Sequence, residues 1–302
     1  MAYILATGGL GFIGSHTCLE LLALGHEIII VDSLINSSKE TLNKINEVLE
    51  FRGISAINRI LFKKGDIRDL VFLKSVFQEA LVNNKKIEAV VHFAGLKSVS
   101  DSILAPINYW DVNLSGTINL LNLMDKYNCR KIIFSSSATI YKPINSKLIK
   151  ENSDLNPINT YGNTKLAIEK LLYDIYKNGS TKWAIVNLRY FNPVGADRSG
   201  LIGENYNINS NNLFPILIKV ANRKLESLPV FGNDWPTKDG TCVRDYIHIT
   251  DLAIAHAKAL NNILQKNKEF LNLNIGTGRG FSVLEVIKKF KEVNDCDIPF
   301  HF

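Results

Sequence analysis

Three times along the chain a tyrosine precedes a lysine by four residues: Tyr127/Lys131, Tyr161/Lys165 and Tyr173/Lys177. On a helix this spacing puts both side chains on one face, within reach of each other. There an ammonium group can hold down the tyrosine's proton affinity and make the phenol a usable base. The spacing by itself singles out none of the three. Selection has to come from the elements that carry them.

Those elements alternate over the first 190 residues. Short β-branched runs occur at "YILAT", "EIIIVD", "RILFKKGD", "AVVHFAG", "RKIIFSSS" and "WAIVNLRYF", separated by longer stretches of helical periodicity. Strands alternating with helices predict an α/β fold, a Rossmann-type doubly wound parallel sheet. After about residue 192 the texture loosens into loops with Pro193, Gly195, Gly200 and Gly203, a helix near 212–224 and short strands near 228–231 and 271–275. This divides the chain into a Rossmann domain over 1–191 and a smaller C-terminal lobe over 192–302, some of whose segments return to the first domain. Ser282 and Glu285 form a capping box for the last helix.

In that frame "ILATGGLGFIGSHTCLELL" places Gly8, Gly11 and Gly14 between a strand and a helix. Glycines there permit a tight turn and a close approach to a pyrophosphate, which the helix N-terminus favours. The spacing is one residue longer than the dinucleotide-binding fingerprint, but "EIIIVD" ends in Asp32 at about the expected distance. A carboxylate there accepts from ribose hydroxyls and repels a 2′-phosphate, favouring NAD over NADP; its plainer role would be to cap the next turn. A second run, "NIGTGRGFS" at 274–282, has no acidic strand end after it and reads as a turn into the capped helix. Asp66 in "GDIRD", Ala94 and Gly95 in "HFAGLKS", and the serines of "FSSSATIY" fall where the third, fourth and fifth strands end. Ligands of an open α/β sheet bind beyond those ends. Tyr127 falls at the opposite edge, and Tyr173 about 18 Å along the helix from Tyr161. Only Tyr161 opens a helix that follows the serine-bearing strand end.

The bulk composition excludes several other classes. With 302 residues, 46% hydrophobic and 21% charged, the chain is that of a soluble globular protein with no run able to span a bilayer. Its start reaches a glycine turn too early for a signal peptide, so a cytoplasmic location is expected. Cys18, Cys129, Cys242 and Cys296 lie far apart, and the six histidines form no ligand pair, so neither disulfides nor a metal site is expected. The net charge of +6 is scattered in ones and twos, which suits a solvated surface better than a nucleic-acid groove.

The chain resembles the extended short-chain dehydrogenase/reductase family, in particular its branch of UDP-sugar 4-epimerases. The resemblance rests on "TGGLGFIGSHT", "VVHFAGLKSV", "FSSSATIY", "YGNTKLAIE", "LRYFNPVGA", "NNLFP", "VFGNDWPTKDGTCVRDYIH" and "LNIGTG", and runs along essentially the whole chain. Related dehydratases carry an Asp-Glu pair where "SSSAT" stands here. The resemblance implies NAD-dependent epimerisation at C4 of UDP-glucose/UDP-galactose through a 4-keto intermediate, in a homodimer that binds neither nucleic acid nor membrane. The alternatives are a C4 epimerase of another UDP-sugar, such as an N-acetylated one, and a catalytically silent NAD-binding scaffold.

Residue by residue, the resemblance makes Tyr161 the acid/base, Lys165 its partner and ribose contact, and Ser137 the hydroxyl that bridges to the sugar O4. Lys165 and the nicotinamide cation are expected to lower the Tyr161 pKa toward neutrality. NAD contacts would come from Gly8, Gly11, Phe12, Ile13 and Gly14 at the turn, and from Asp32, Asn36 and Ser37 after the second strand. Asp66 and Ile67, then Phe93, Ala94, Gly95 and Lys97, and finally Phe191 would complete them. Asn113 in "VNLSGT" matches the family's structural asparagine on the cofactor side. Asn192, Asn212, Leu213, Phe231 and Arg244 would hold the nucleotide sugar. Two departures stand out: Lys142 replaces the usual glycine after Tyr141, and "IPFHF" ends where the family continues into an Arg-Arg-x-Gly-Asp segment. A further diphosphate contact and a residue limiting sugar size are therefore expected beyond Phe302.

Overall fold

The computed structural model describes residues 1–143, 148–205 and 212–302. Seven strands form the central sheet: β1 (Tyr3–Thr7), β2 (Glu27–Asp32), β3 (Ile60–Lys64), β4 (Ala89–His92), β5 (Lys131–Ser137), β6 (Ala184–Tyr190) and β10 (Glu269–Ile275). Their order is β3-β2-β1-β4-β5-β6-β10, and every pairing is parallel. The helices are α1 (Phe12–Ala23), α2 (Glu40–Phe51), α3 (Leu70–Val82), α4 (Val99–Leu104), α5 (Pro106–Trp110), α6 (Gly116–Lys126), α7 (Thr160–Lys177), α8 (Leu213–Ala221), α9 (Ile249–Leu264) and α10 (Val283–Asn294). A π-helical turn, Asp111–Ser115, joins α5 to α6.

The strands are near-continuous apolar runs because both sheet faces are covered. One core layer packs Ile4, Ile28 and Ile30 against Leu19, Leu22 and Leu260 on the α1/α2/α9 side. The other packs Leu5, Ile29 and Val90 against Leu73, Phe77 and Leu120 on the α3/α6 side, continuing to Ile168 and Leu172 of α7. The strand order reverses between β1 and β4, and that crevice is where such sheets bind ligands.

The second lobe is smaller. β7 (Asn192–Val194), β9 (Val243–His248) and β11 (Gly280–Ser282) form one sheet, while β8 (Leu228–Pro229) and β12 (Phe300–His301) form another. Ile216, Leu217, Leu228, Ile287 and Ile298 make its core. The strand expected near 271–275 is longer than expected and is not a lobe element: it is β10, the seventh strand of the main sheet. α9, which precedes it, packs on α1. The capping box is formed, Ser282 Oγ accepting from the Glu285 amide at 3.1 Å and Glu285 Oε2 from the Ser282 amide at 2.9 Å. No described helix is long and apolar enough to cross a membrane.

Candidate active site

The centre is built by the end of β5 and the start of α7. Asn159, extended at the N-cap, accepts from the Gly162 amide at 2.8 Å and starts α7 at Thr160. Tyr161 is therefore its second residue, and Lys165 lies one turn on. Lys165 is buried, and its Nζ donates to the Ser135 carbonyl at 2.7 Å. The same ammonium stands 4.8 Å from the Phe134 ring centroid and 5.7 Å from that of Tyr161. Ser137, also buried, accepts at Oγ from the Thr139 amide at 3.2 Å and the Thr139 hydroxyl at 2.9 Å, closing a 3-10 turn over Ala138–Ile140.

The other two pairs do not resemble this. Tyr127 follows the end of α6 and stacks on Phe77, while Lys131 starts β5 and donates to the Leu264 carbonyl. Tyr173 is 42% exposed, with Lys177 over its ring, at the far end of α7.

Electrostatics at the centre modify the expectation for the tyrosine. Burial pushes the Lys165 ammonium down to about 8, with the Glu169 carboxylate acting in the opposite sense. Loss of hydration pushes the Tyr161 phenol up to about 12, although its side chain keeps some solvent contact; the Ser137 hydroxyl pulls it down and Tyr109 adds a smaller upward push. In the protein alone the phenol stays well above neutrality, because desolvation outweighs the pull of the Ser137 hydroxyl. Ordinary protonation here is phenol and ammonium, and a further positive charge beside the phenol is needed to activate it.

The glycine turn has the shape that a dinucleotide needs. Gly8 takes φ +71°, and a Cβ there would lie 2.7 Å from the Ala94 amide nitrogen. A Cβ on Gly14 would strike the Gly8 carbonyl oxygen, so α1 can pack this close only through glycine. Gly11 is the N-cap of α1 and has no side chain to satisfy the first amides. The amides opening the helix, at Phe12 and Ile13, therefore suit a phosphate.

Asp32 takes its plainer expected role, capping the next turn, and is tied to the glycine turn as well. It is buried, and Oδ2 accepts from the Leu10 amide of the glycine turn at 3.0 Å. Oδ1 accepts from the Leu34 amide at 3.0 Å and the Ser37 hydroxyl at 2.7 Å, so it also caps the next turn, beside exposed Asn36. Asp66 ends the β3 segment but is engaged by Arg68 at 2.7 Å, whose hydrogen bonds hold its carboxyl below the usual range; Arg68 also reaches Asp111. Ile67 is buried behind it. The Phe93 and Ala94 amides donate to the Thr7 carbonyl at 2.9 and 3.0 Å, which brings Gly95 and the β4 end against the turn. Lys97 is exposed and pairs with Glu204 at 3.3 Å.

Asn113 is a brace. Its Oδ1 accepts from the Leu96 amide at 2.8 Å, and Nδ2 donates to the Leu96 carbonyl at 3.2 Å and to Thr164 Oγ1 at 3.0 Å. It ties the β4 end to α7 from the π-helical turn, a distortion common at functional sites.

The second lobe carries the remaining residues. Phe191 continues from β6, its amide donating to the Ile275 carbonyl at 3.0 Å. Asn192 Nδ2 donates to the Asp245 carbonyl at 2.9 Å. Arg244 is exposed on β9, and Phe231 is 75% exposed. Asn212 precedes α8 and donates to Glu204 at 3.2 Å, while Leu213 packs into the lobe core. The 274–282 run is a turn: Asp245 accepts from the Thr277 amide at 2.9 Å and the Gly278 amide at 2.8 Å. Lys142 is exposed, with its amide donating to the Asp154 carbonyl at 2.9 Å. A cleft of about 710 Å³ lined by Tyr3, Glu27, Lys85 and Lys131 lies at the opposite, N-terminal ends of the strands and takes no part in this centre.

Two residues behind the centre escaped sequence reasoning. Glu169 and Arg189 form a buried ion pair at 2.7 Å. Their signals were present: Glu169 follows Lys165 by four residues, and Arg189 interrupts the apolar run of β6.

Comparison with known proteins agrees with this geometry. Residues 4–276 match the NAD dependent epimerase/dehydratase family. The chain is 47% identical over 299 residues to the UDP-glucose 4-epimerase of Bacillus subtilis (strain 168), covering 99% of this chain and 84% of that one. Among solved structures it is similar to the UDP-glucose 4-epimerase of Stenotrophomonas maltophila with bound NAD and formylated UDP-arabinopyranose, at TM-score 0.91 and 42% identity over 100% of this chain and 85% of that one. It is equally similar, at TM-score 0.91 and 42% identity, to that of Bifidobacterium longum in complex with NAD+ and UDP, over 99% and 85% of the two chains. The glycine cradle, the strand-end serines and the helix-borne tyrosine–lysine pair thus occur in a chain that belongs to the NAD dependent epimerase/dehydratase family.

Proposed function

We propose that the protein interconverts UDP-glucose and UDP-galactose by inverting C4, with NAD as its resident cofactor. The observation that carries this reading is the contact of Lys165 with both the Tyr161 ring and the β5 end, beside a strand-order reversal whose glycine cradle fits a dinucleotide. Bound NAD supplies a hydride acceptor and donor, so C4 can pass through a ketone without net redox change. Tyr161 takes the proton from the sugar 4-hydroxyl and returns it once the other face of C4 is presented. Ser137 stands beside that phenol and relays a hydrogen bond to O4. Lys165, protonated, holds the ribose and contributes positive charge to the phenolate.

Asp32 reads the adenosine ribose, and the Phe12 and Ile13 amides hold the pyrophosphate. Asn192, Asn212, Leu213, Phe231 and Arg244 hold the nucleotide sugar on the lobe formed by 192–302, with α9 and β10 serving the first domain. We further infer a cytoplasmic homodimer. In its support, α4, α5 and α6 expose Ile103, Leu104, Ile107 and Ile118, an apolar surface suited to a second copy. The function is tested by an assay coupled to UDP-glucose formation from UDP-galactose, with no nicotinamide added. Turnover is expected; protein that purifies without NAD and works only with NADP+ would contradict the assignment.

A further inference from the structure

The buried ion pair behind the centre is unusual in where its bonds go. Glu169 is 4% exposed and Arg189 2%. Arg189 meets Glu169 in a fork, Nε to Oε1 at 3.0 Å and Nη2 to Oε2 at 2.7 Å. Glu169 Oε1 also accepts from the Ser136 hydroxyl, and Arg189 Nη1 donates to the Tyr141 hydroxyl at 2.7 Å. Tyr141 in turn donates to Asn274 Oδ1 at 2.7 Å, and Arg189 also donates to the Glu151 carbonyl at 2.9 Å. Ser136 and Tyr141 bound the short segment that contains Ser137.

A buried ion pair is a poor device for stability, since well-packed apolar residues do as well or better. It does impose geometry, because a forked guanidinium–carboxylate pair fixes both partners in plane. Here Glu169 also continues the α7 stripe of Tyr161 and Lys165. One carboxylate therefore meets the strand-end segment from the helix that carries the base. We propose that the Glu169–Arg189 pair is a positioning device for the reaction, clamping both ends of segment 136–141 so that the Ser137 hydroxyl stays beside the Tyr161 phenol. This deepens the proposed function and rests on it.

The test is a double-mutant cycle between Ser136 and Ser137. Ser136→Ala removes one hydrogen bond from Glu169 and leaves the ion pair intact, so the protein remains folded and NAD-loaded. Its kcat for UDP-galactose should fall about tenfold, the scale of a small misplacement, with little change in KM. In a Ser137→Ala background the same substitution should cost nothing further, because the group being positioned is gone. A merely structural role would leave kcat unchanged or give equal losses in both backgrounds, and either result overturns the proposal. Wild-type protein is assayed first, so a fault in the assigned reaction appears there and not in the cycle. Amide hydrogen exchange over 137–141 needs no turnover: faster exchange in Ser136→Ala supports the clamp, and unchanged exchange overturns it.

Discussion

At the residue scale, chemistry depends on which tyrosine–lysine pair is coupled to a strand end. Tyr161→Phe removes the proposed acid/base and should lower kcat by roughly 10²–10⁴-fold. Tyr127→Phe and Tyr173→Phe touch only a stacked core contact and an exposed ring, and should leave kcat nearly unchanged. Steady-state assays of the three purified variants check this ranking. Lys165 gives a pH prediction. Burial lowers it to about 8, so the ammonium that the mechanism uses is present below that pH and lost as pH rises through it. The kcat profile should therefore fall on its alkaline side near pH 8; a profile that stays flat well beyond this would remove Lys165's charge from the account. Position along the chain was enough to place Tyr161 and Lys165 beside the β5 end. It could not reveal that desolvation holds the phenol at about 12, because that depends on what surrounds the hydroxyl in three dimensions.

At the element scale, six of the seven sheet strands were legible because each is a β-branched run bordered by helical periodicity. β10 was legible as a strand but not as a sheet member. Its partner in β6 is 85 residues away, Ala184 facing Glu269, and nothing local encodes that pairing.

 The capping box at Ser282 was legible because it is wholly local. The glycine turn makes the sharpest prediction here. A Cβ at Gly14 would meet the Gly8 carbonyl and lie 2.8 Å from the Gly9 Cα, and backbone cannot rotate out of the way as a side chain can. Gly14→Ala should therefore cost about 1–3 kcal/mol of stability, as overpacking does, and lower the NAD content of purified protein. Denaturant unfolding together with cofactor release on acid treatment measures both. Normal NAD content in this variant would mean that the turn is not the cofactor's cradle.

At the scale of the whole molecule, the proposed function has two lobes close on a substrate and two copies meet through helices. Leu104 and Ile107 are 85% and 84% exposed on adjoining short helices, which places them in the proposed interface. Replacing both with aspartate should shift sedimentation from dimer to monomer; an unchanged sedimentation coefficient would put the interface elsewhere. The lobe residues were expected only through family resemblance, because Phe231, Asn212 and Arg244 lie in irregular or short elements that no periodicity brings together. The central claim is that C4 is oxidised and re-reduced within one site. It is tested most directly with UDP-galactose deuterated at C4, incubated with the purified protein and no added nicotinamide. The product UDP-glucose is expected to retain the deuterium at C4, as read by NMR or mass spectrometry. Replacement of that deuterium by solvent hydrogen in the product would contradict the account.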